Sequence, residues 1–358
     1  MFGTTYELTL NKAYVARWGV LEAVRELIQN ALDSDSPFEF TFDKEDDGAN
    51  TLTLTSANAQ LTPQTLLLGA TTKADAADKI GSFGEGYKIA LLVLTREGRP
   101  VNIHNGDRVW APFFRFSKRF EDDLLCISDD AAPFKNRGLS FLVSGLTDEE
   151  VAGIRESCLP MQQHIGETLK TSCGEILLQK PGQLFVGGLF ICKTELKYGY
   201  NMNPDRIKLE RDRKTVDNFD LTYATTHMWY ETERFDDVAK MIEAEVKDVG
   251  CAQWSSTPMV KEACYRLFRE KNPGKFVATS QSELQGFVKA GLTSYVYVGG
   301  AFGEVVRSSP SYRNAKPDKV RQPLEILQAW FDDAKYHMHA DVRKSFQQII
   351  DKSKGWRA

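Results

Sequence analysis

The sequence contains no long hydrophobic run and no leader-like N-terminus. No stretch of about 18 consecutive apolar residues, the length of a membrane-spanning helix, occurs in the chain. The first residues, MFGTTYELTL, lack the cationic start and apolar core of a signal peptide. These absences predict a cytoplasmic protein without a membrane span.

Clustered metal-binding side chains are also absent. The six cysteines contain no Cys-x-x-Cys pair, and of the five histidines only His337 and His339 lie close together in the sequence. Neither a thiolate zinc site nor a small disulfide framework is indicated. We expect reduced, mostly buried thiols and no metal–histidine chemistry.

The chain has no excess of basic residues. It carries 45 Lys and Arg against 49 Asp and Glu, a formal charge of -4 over 358 residues. No general positive field therefore exists to hold nucleic acid or an anionic membrane, and nucleic acid is not the expected partner. A local basic patch remains open.

The pattern of apolar residues predicts two domains. TTYELTL alternates as a strand does, a helical apolar period follows from Gly19 to about Asp33, and FEFTF and TLTLT flank an acidic turn as in a hairpin. Short alternating runs between residues 101 and 145 predict antiparallel strands. We place a sheet-rich domain at 1–203 and a smaller, helix-rich α/β domain at 204–358, with a transducer or an interaction module as its alternative roles.

Three polar residues of the first predicted helix share one side. Glu26, Asn30 and Asp33 are spaced i, i+4 and i+7, opposite the apolar stripe. A solvated surface face is the alternative interpretation of that pattern.

A glycine-rich segment, Gly81 to Lys88, precedes a second apolar helical run. Glycines let the main chain approach an anion, and a helix start adds unpaired N–H donors, so the segment could hold phosphate. A tight loop before a buried helix is the alternative. The segment is not a P-loop, because Tyr87 and Lys88 stand where that motif requires Lys and Ser or Thr.

The order of these features resembles the Bergerat-fold (GHKL) ATPases shared by the gyrase B, heat-shock-chaperone, histidine-kinase and MutL families. The matching segments are ELIQNALD, ATTK, GSFGEGYK and RGLSF, within about residues 5–200. The resemblance implies a two-layer α/β (α+β) sandwich, with a mixed, mainly antiparallel sheet and helices on one face. More narrowly, TTYELTLNKAYVARWG and YGYNMNPDRIKLERDR resemble bacteriophage rapid-lysis protector (rIIA-like) proteins.

The resemblance also implies roles for individual residues, with ATP and Mg²⁺ as cofactors. Glu26 would be the general base, Asn30 would offer its amide oxygen to Mg²⁺, and Asp33 would orient water or the nucleotide. Lys73, Lys88 and the amides from Gly84 to Tyr87 would balance phosphate charge. The remaining implied nucleotide contacts are Thr72, Gly81, Phe83, Glu85, Gly86 and Ser140.

Two departures from the family pattern affect these roles. Ser56-Ala57-Asn58-Ala59-Gln60 replaces the D-x-G-x-G box, so Ser56 or Asn58 would offer the base a neutral acceptor, which is weaker than a carboxylate. The nucleobase is left open. No clear switch lysine follows, and Arg211, Arg213 and Lys214 are either candidates for that contact or a surface charge cluster.

The expected function is Mg²⁺-dependent ATP binding with slow hydrolysis that drives a conformational switch on a host or phage protein, in the host cytoplasm if the chain is phage-encoded. The alternative is a nucleotide-sensing interaction protein, such as a counter-defence or lysis-control factor, with little or no hydrolysis. A homodimer is one arrangement open to either. A third, DNA-handling interpretation is disfavoured by the negative charge.

Overall fold

The computed structural model describes residues 3–33, 36–67, 86–133, 138–207, 218–315 and 323–353. The chain forms two compact units, Met1–Thr232 and Glu233–Ala358.

The first unit is built on a seven-stranded sheet in which all neighbouring strands are antiparallel. Its strand order is β1-β6-β5-β4-β7-β3-β2, so β1 and β2 are the two edges. The hairpin predicted from FEFTF and TLTLT is β2–β3. The strands are β1 (Thr4–Asn11), β2 (Glu39–Lys44), β3 (Asn50–Ser56), β4 (Val101–Asn105), β5 (Arg108–Ser117), β6 (Asp122–Ala131) and β7 (Leu139–Leu146).

Helices α1 (Val20–Leu32), α2 (Gly86–Arg96) and α3 (Asp148–Glu156) belong to the same unit. One apolar core joins α1 and α2 to one face of the sheet, where alternate residues such as Leu52, Leu54 and Phe141 point inward. Each fully buried Leu or Val contributes roughly 1.5–3 kcal/mol. The result is a large antiparallel sheet with helices packed on it, compatible with an α+β sandwich.

Helix α1 begins where the sequence predicts it. The Gly19 amide donates to the Glu22 carboxylate at 3.0 Å, which satisfies one of the unpaired N–H groups at the helix start. The side chains of Val20, Ala23, Val24, Leu27 and Ile28 form the buried stripe.

A five-stranded sheet completes the first unit, in the order β11-β10-β12-β9-β8. Helix α4 (Asn218–Glu231) packs on this sheet. Trp229 Nε1 on the helix donates to the buried hydroxyl of Tyr200 on β12 at 2.9 Å. The compact unit therefore extends past residue 203, where the sequence placed the boundary. The strands are β8 (Thr168–Thr171), β9 (Gly174–Leu177), β10 (Gln183–Val186), β11 (Leu189–Lys193) and β12 (Gly199–Met202).

The second unit is rich in helices and contains a parallel pair, β13 (Phe276–Ala278) and β14 (Tyr295–Tyr297), joined through α8. Among the helices that the structure describes, none is both long and apolar enough to cross a lipid bilayer. The helices are α5 (Phe235–Glu243), α6 (Ala252–Ser255), α7 (Pro258–Lys271), α8 (Gln281–Lys289), α9 (Gly300–Ser308), α10 (Pro310–Asn314), α11 (Pro323–Ala334) and α12 (Ala340–Ser353).

Candidate functional site

The polar side of α1 is buried rather than solvated. Glu26 and Asp33 are each only 6% exposed, and Asn30 is half-buried. Burial of an ionisable side chain requires compensating hydrogen bonds or charges, so Glu26 and Asp33 are held by neighbouring groups. The interpretation of this side as a plain solvated face is therefore wrong for Glu26 and Asp33.

Asn30 is oriented by its own helix. Its Nδ2 donates to the Glu26 carbonyl oxygen at 2.8 Å, one turn earlier. Because the amide nitrogen is directed at the backbone, the amide oxygen is directed away from it and can accept a donor or bind a cation. Asp33 is the C-cap of α1, where its amide donates to the Gln29 carbonyl at 2.9 Å.

Glu26 lies directly against the start of α2. A Cβ atom built on Gly86 would overlap Oε2 of Glu26 and lie 3.4 Å from its carboxyl carbon. With Glu26 in this conformation, the absence of a side chain at position 86 is what leaves room for the carboxylate. The first turn of a helix presents unpaired N–H groups and the positive end of the helix dipole, so the carboxylate stands beside a place suited to an anion.

The next two residues of α2 bind the chain segment before residue 68. The Tyr87 hydroxyl donates to the Thr65 carbonyl at 2.6 Å, and burial raises the pKa of Tyr87 to about 12. The Lys88 ammonium donates to the Leu67 carbonyl, and its side chain is fully buried. The structure thus places Lys88 in the interior, bonded to backbone, rather than on an open surface.

The loop that replaces the D-x-G-x-G box is held by backbone contacts. Asn105 brackets Leu61, accepting from its N–H at 3.0 Å and donating to its carbonyl at 2.8 Å. The backbone N–H of Asn58 donates to the Ser36 hydroxyl at 2.9 Å. The Asn58 side chain is exposed. Ser56 is buried at the end of β3, on the same sheet face as the inward Leu54.

Gly138, from the RGLSF segment, lies against this loop. Its φ of +87° is a left-handed conformation, and a Cβ atom there would overlap the carbonyl oxygens of Ser56 and Ala57. Glycine is therefore required by both the conformation and the close approach. The segment meets the end of β3 through its backbone.

Ser140 lies on the other face of the sheet. It pairs with Thr55 across the β3–β7 ladder, and their hydroxyl oxygens are 3.1 Å apart. Its neighbours Leu139 and Phe141 point into the helix-covered core, and successive side chains alternate between faces. The placement of Ser140 with the other nucleotide contacts is thus corrected, since it points away from α1 and α2.

Several predicted site residues lie outside the described part of the chain. Of the described residues, the structure places the Glu26 side chain against Gly86, with Asn30 and Asp33 further along the same helix as Glu26 and with Tyr87 and Lys88 directly following Gly86. The residues outside the described ranges are Thr72, Lys73, Gly81, Phe83, Gly84, Glu85, Arg211, Arg213 and Lys214.

Two buried or bonded polar residues beside these elements, Gln29 and Asn105, were not predicted from the sequence. Gln29, next to Asn30 on α1, is only 1% exposed, and Asn105 fixes the loop after β3. A polar residue between apolar positions on α1 signalled the first. No local pattern signals Asn105, because its partner Leu61 is distant in sequence.

Comparisons with known proteins give distant similarities. No protein-family model matches the chain. A curated protein of Mycoplasma pneumoniae, described as an uncharacterized protein, is 23% identical over 223 residues, which cover 58% of this chain and 90% of that protein. Among solved structures, the B-subunit of DNA gyrase from Myxococcus xanthus is similar at 8% identity, covering 65% of this chain and 91% of that chain, with a TM-score of 0.31. These comparisons do not support the narrower resemblance to bacteriophage rapid-lysis protector proteins.

Proposed function

We propose that this chain binds ATP with Mg²⁺ and hydrolyses it slowly, as a conformational switch. The observation that carries the proposal is the contact between the Glu26 carboxylate and Gly86, at the N-terminal turn of α2. A carboxylate beside unpaired helix N–H groups supplies a proton acceptor next to a phosphate site.

Each residue has a role that its placement supports. Glu26 would take a proton from the water that attacks the terminal phosphate, because its carboxylate already lies at the helix start. The N–H groups of the first turn of α2 would donate hydrogen bonds to phosphate oxygens without a reorganisation cost. Asp33, one further turn along α1, would orient water or the nucleotide.

A single amide oxygen, that of Asn30, fits magnesium bound with a nucleotide. Mg²⁺ keeps several waters and takes other ligands from phosphates, and when bound it neutralises phosphate charge. Within the described ranges, no three His, Cys, Asp or Glu side chains cluster as a metal site. Magnesium alone should therefore leave the melting temperature unchanged, whereas magnesium with ATP should raise it.

The test of hydrolysis is Glu26→Gln, which keeps the shape of the side chain and removes its basicity. Phosphate release should fall by about 10²-fold or more, the usual contribution of a general base, while ATP binding persists. Glu39→Gln, an exposed carboxylate on β2, is the control and should change neither. Turnover unchanged in Glu26→Gln would remove Glu26 from this role.

A second function, nucleotide sensing without turnover, is favoured by the loop after β3. Ser56 to Gln60 contains no carboxylate to receive a base amino group, and the exposed Asn58 side chain offers both a donor and an acceptor. Thermal-shift titrations with ATP, GTP and ADP compare the bases directly. Binding without phosphate release would favour sensing, read by a protein partner or by a second copy.

A further inference from the structure

A groove of about 520 Å³ is formed by the last two helices of the second unit, α11 and α12, and the turn that joins them. Three cations line it, namely Lys335 in the turn and Arg343 and Lys344 on α12. The side-chain amides of Gln347 and Gln348 add hydrogen-bond donors and acceptors. Among the described residues that line the groove, none is acidic.

Aromatic packing holds the two helices of the groove together. The ring of Phe331 on α11 is only 2% exposed and lies nearly parallel to the ring of Phe346 on α12, with centroids 5.8 Å apart. The Trp330 ring contacts Phe346 as well, at 5.4 Å between centroids. Because Phe331 also lines the groove, the packing that joins the helices forms its floor. The groove is therefore built by the fold before any ligand binds.

Two carboxylates lie beside the groove, and each already has a partner. Asp332 accepts from the Lys335 ammonium at 3.2 Å, one turn apart. Asp351 accepts from the Gln347 amide at 3.1 Å. Neither carboxylate lines the groove, and the Asp332 contact balances the charge of one of its three cations.

The other two cations, Arg343 and Lys344, keep their charge. Arg343 donates to the backbone carbonyl of Met338 at 3.2 Å, and within the described ranges neither it nor Lys344 forms an ion pair. The whole chain has a formal charge of -4, yet residues 335–353 contain four Lys and Arg against two Asp. This is a local basic patch on an acidic protein, and it favours an anionic ligand.

An exposed aromatic ring stands beside these cations. Tyr336 is 76% exposed, and the Lys335 ammonium lies 5.4 Å from the centroid of its ring. A ring so exposed gains little from burial within its own chain, but it can stack on a planar base. Cations that contact phosphates, together with an aromatic ring that stacks on a base, are how proteins bind single-stranded nucleic acid.

We propose that the groove between α11 and α12 binds single-stranded nucleic acid, with phosphates on Arg343 and Lys344 and an unpaired base on Tyr336. An acidic peptide would satisfy the cations and leave the planar ring without a partner. The bases of a duplex are already stacked and cannot reach the ring. The groove belongs to the second unit and the Glu26–Gly86 contact to the first, so this proposal does not depend on ATP hydrolysis.

The test of the cations is fluorescence anisotropy of a labelled single strand of about 12 nucleotides, as DNA and as RNA, with the full-length protein at low salt. The logarithm of the affinity should fall with the logarithm of the salt concentration, with a slope of about −1.4, since each phosphate contact contributes about −0.7. Arg343→Gln and Lys344→Gln should each weaken binding and halve this slope. Lys352→Gln removes an exposed cation of the same helix that does not line the groove, and should change neither.

The test of the ring uses three further variants. Tyr336→Ala should weaken binding by about fivefold or more, the usual contribution of one stacked base, whereas Tyr336→Phe keeps the ring and should bind like the wild type. Trp254→Ala removes a ring of α6 that is 71% exposed and does not line the groove, so it should bind like the wild type too. A duplex of the same sequence should bind more weakly, with no dependence on Tyr336.

Several results would overturn the proposal. It fails if neither single strand binds at low salt, or if Lys352→Gln weakens binding as much as Arg343→Gln does. Binding that survives Tyr336→Ala unchanged would remove the base from the site. A poly-glutamate peptide that competes as strongly as the unlabelled single strand would make the groove a site for acidic peptides instead.

Discussion

Gly86 determines how closely α2 approaches Glu26. An alanine is normally the better helix former by about 1 kcal/mol, so a glycine in the first turn costs helix stability. The overlap of its absent Cβ with the Glu26 carboxylate explains why the smaller residue is tolerated there. Contact with Glu26, and not helix propensity, governs this position.

Gly86→Ala should therefore displace the Glu26 carboxylate, and its net effect on stability should fall short of the gain of about 1 kcal/mol that alanine otherwise gives in a helix. In a Glu26→Ala background the same change should be neutral or stabilising, because the group that collides is gone. Urea denaturation of the four proteins measures the coupling. Gly286→Ala in α8, where a Cβ would meet nothing within 4 Å, is the control and should stabilise. Equal effects of Gly86→Ala in both backgrounds would contradict the contact.

The cysteines differ in their expected reactivity. Burial raises the pKa of Cys158 and of Cys264 to about 12, and the thiolate is the reactive form. Cys173 is only half-buried. Alkylation of the native protein near neutral pH, followed by mass spectrometry, should label Cys173 well before Cys158 or Cys264. Uniform labelling without denaturant would contradict this order.

Among the elements, the first turn of α2 is a junction rather than a free helix end. Tyr87 and Lys88 hold the carbonyls of Thr65 and Leu67, in and just after the 3₁₀ turn Pro63–Leu66. The end of the described range 36–67 is thereby joined to the start of α2. Substitutions at Tyr87 and Lys88 should act through this junction.

Tyr87→Phe tests the junction through pH. The folded protein holds the pKa of Tyr87 at about 12, above the ordinary value of 10.0, so the stabilising neutral form is complete below pH 10.0 and its contribution is lost as pH rises toward about 12. Near neutral pH the variant should lose about 0.5–1.5 kcal/mol. Between pH 10.0 and 12 the wild type should lose about 1.4 kcal/mol more per pH unit than the variant, measured by urea denaturation. Parallel pH profiles would contradict this.

Local sequence patterns predicted the positions of the helices and strands better than they predicted which side chains are buried between them. The apolar period of α1 and the alternation of β2 and β3 are local, and both elements appear where they were predicted. The burial of Glu26 depends on α2, more than fifty residues later, and no period on α1 encodes it. The face of Ser140 follows from alternation with Leu139 and Phe141 along β7, which a match of motif letters does not contain.

At the scale of the whole molecule, the contact between α4 and the five-stranded sheet decides where the first unit ends. Trp229 is 2% exposed, bonds the Tyr200 hydroxyl, and lies 4.9 Å from the Tyr198 ring centroid. Glu231 accepts from the Ser172 hydroxyl at 2.7 Å. Composition placed the boundary before α4, because the polar link precedes it, but packing keeps α4 with the strands.

A fragment of residues 1–232 should consequently fold cooperatively, whereas 1–203 should be markedly less stable. Loss of α4 uncovers Tyr200, which is fully buried, and removes Trp229 from its site; loss of a buried Trp side chain alone costs about 3–5 kcal/mol. Calorimetry of the two fragments measures the total contribution of α4. In fragment 1–232, Trp229→Phe keeps a ring at this position but removes the indole hydrogen bond, which should cost about 1 kcal/mol. If 1–203 melts at the temperature of 1–232, α4 does not belong to this unit, and the earlier boundary is the right one.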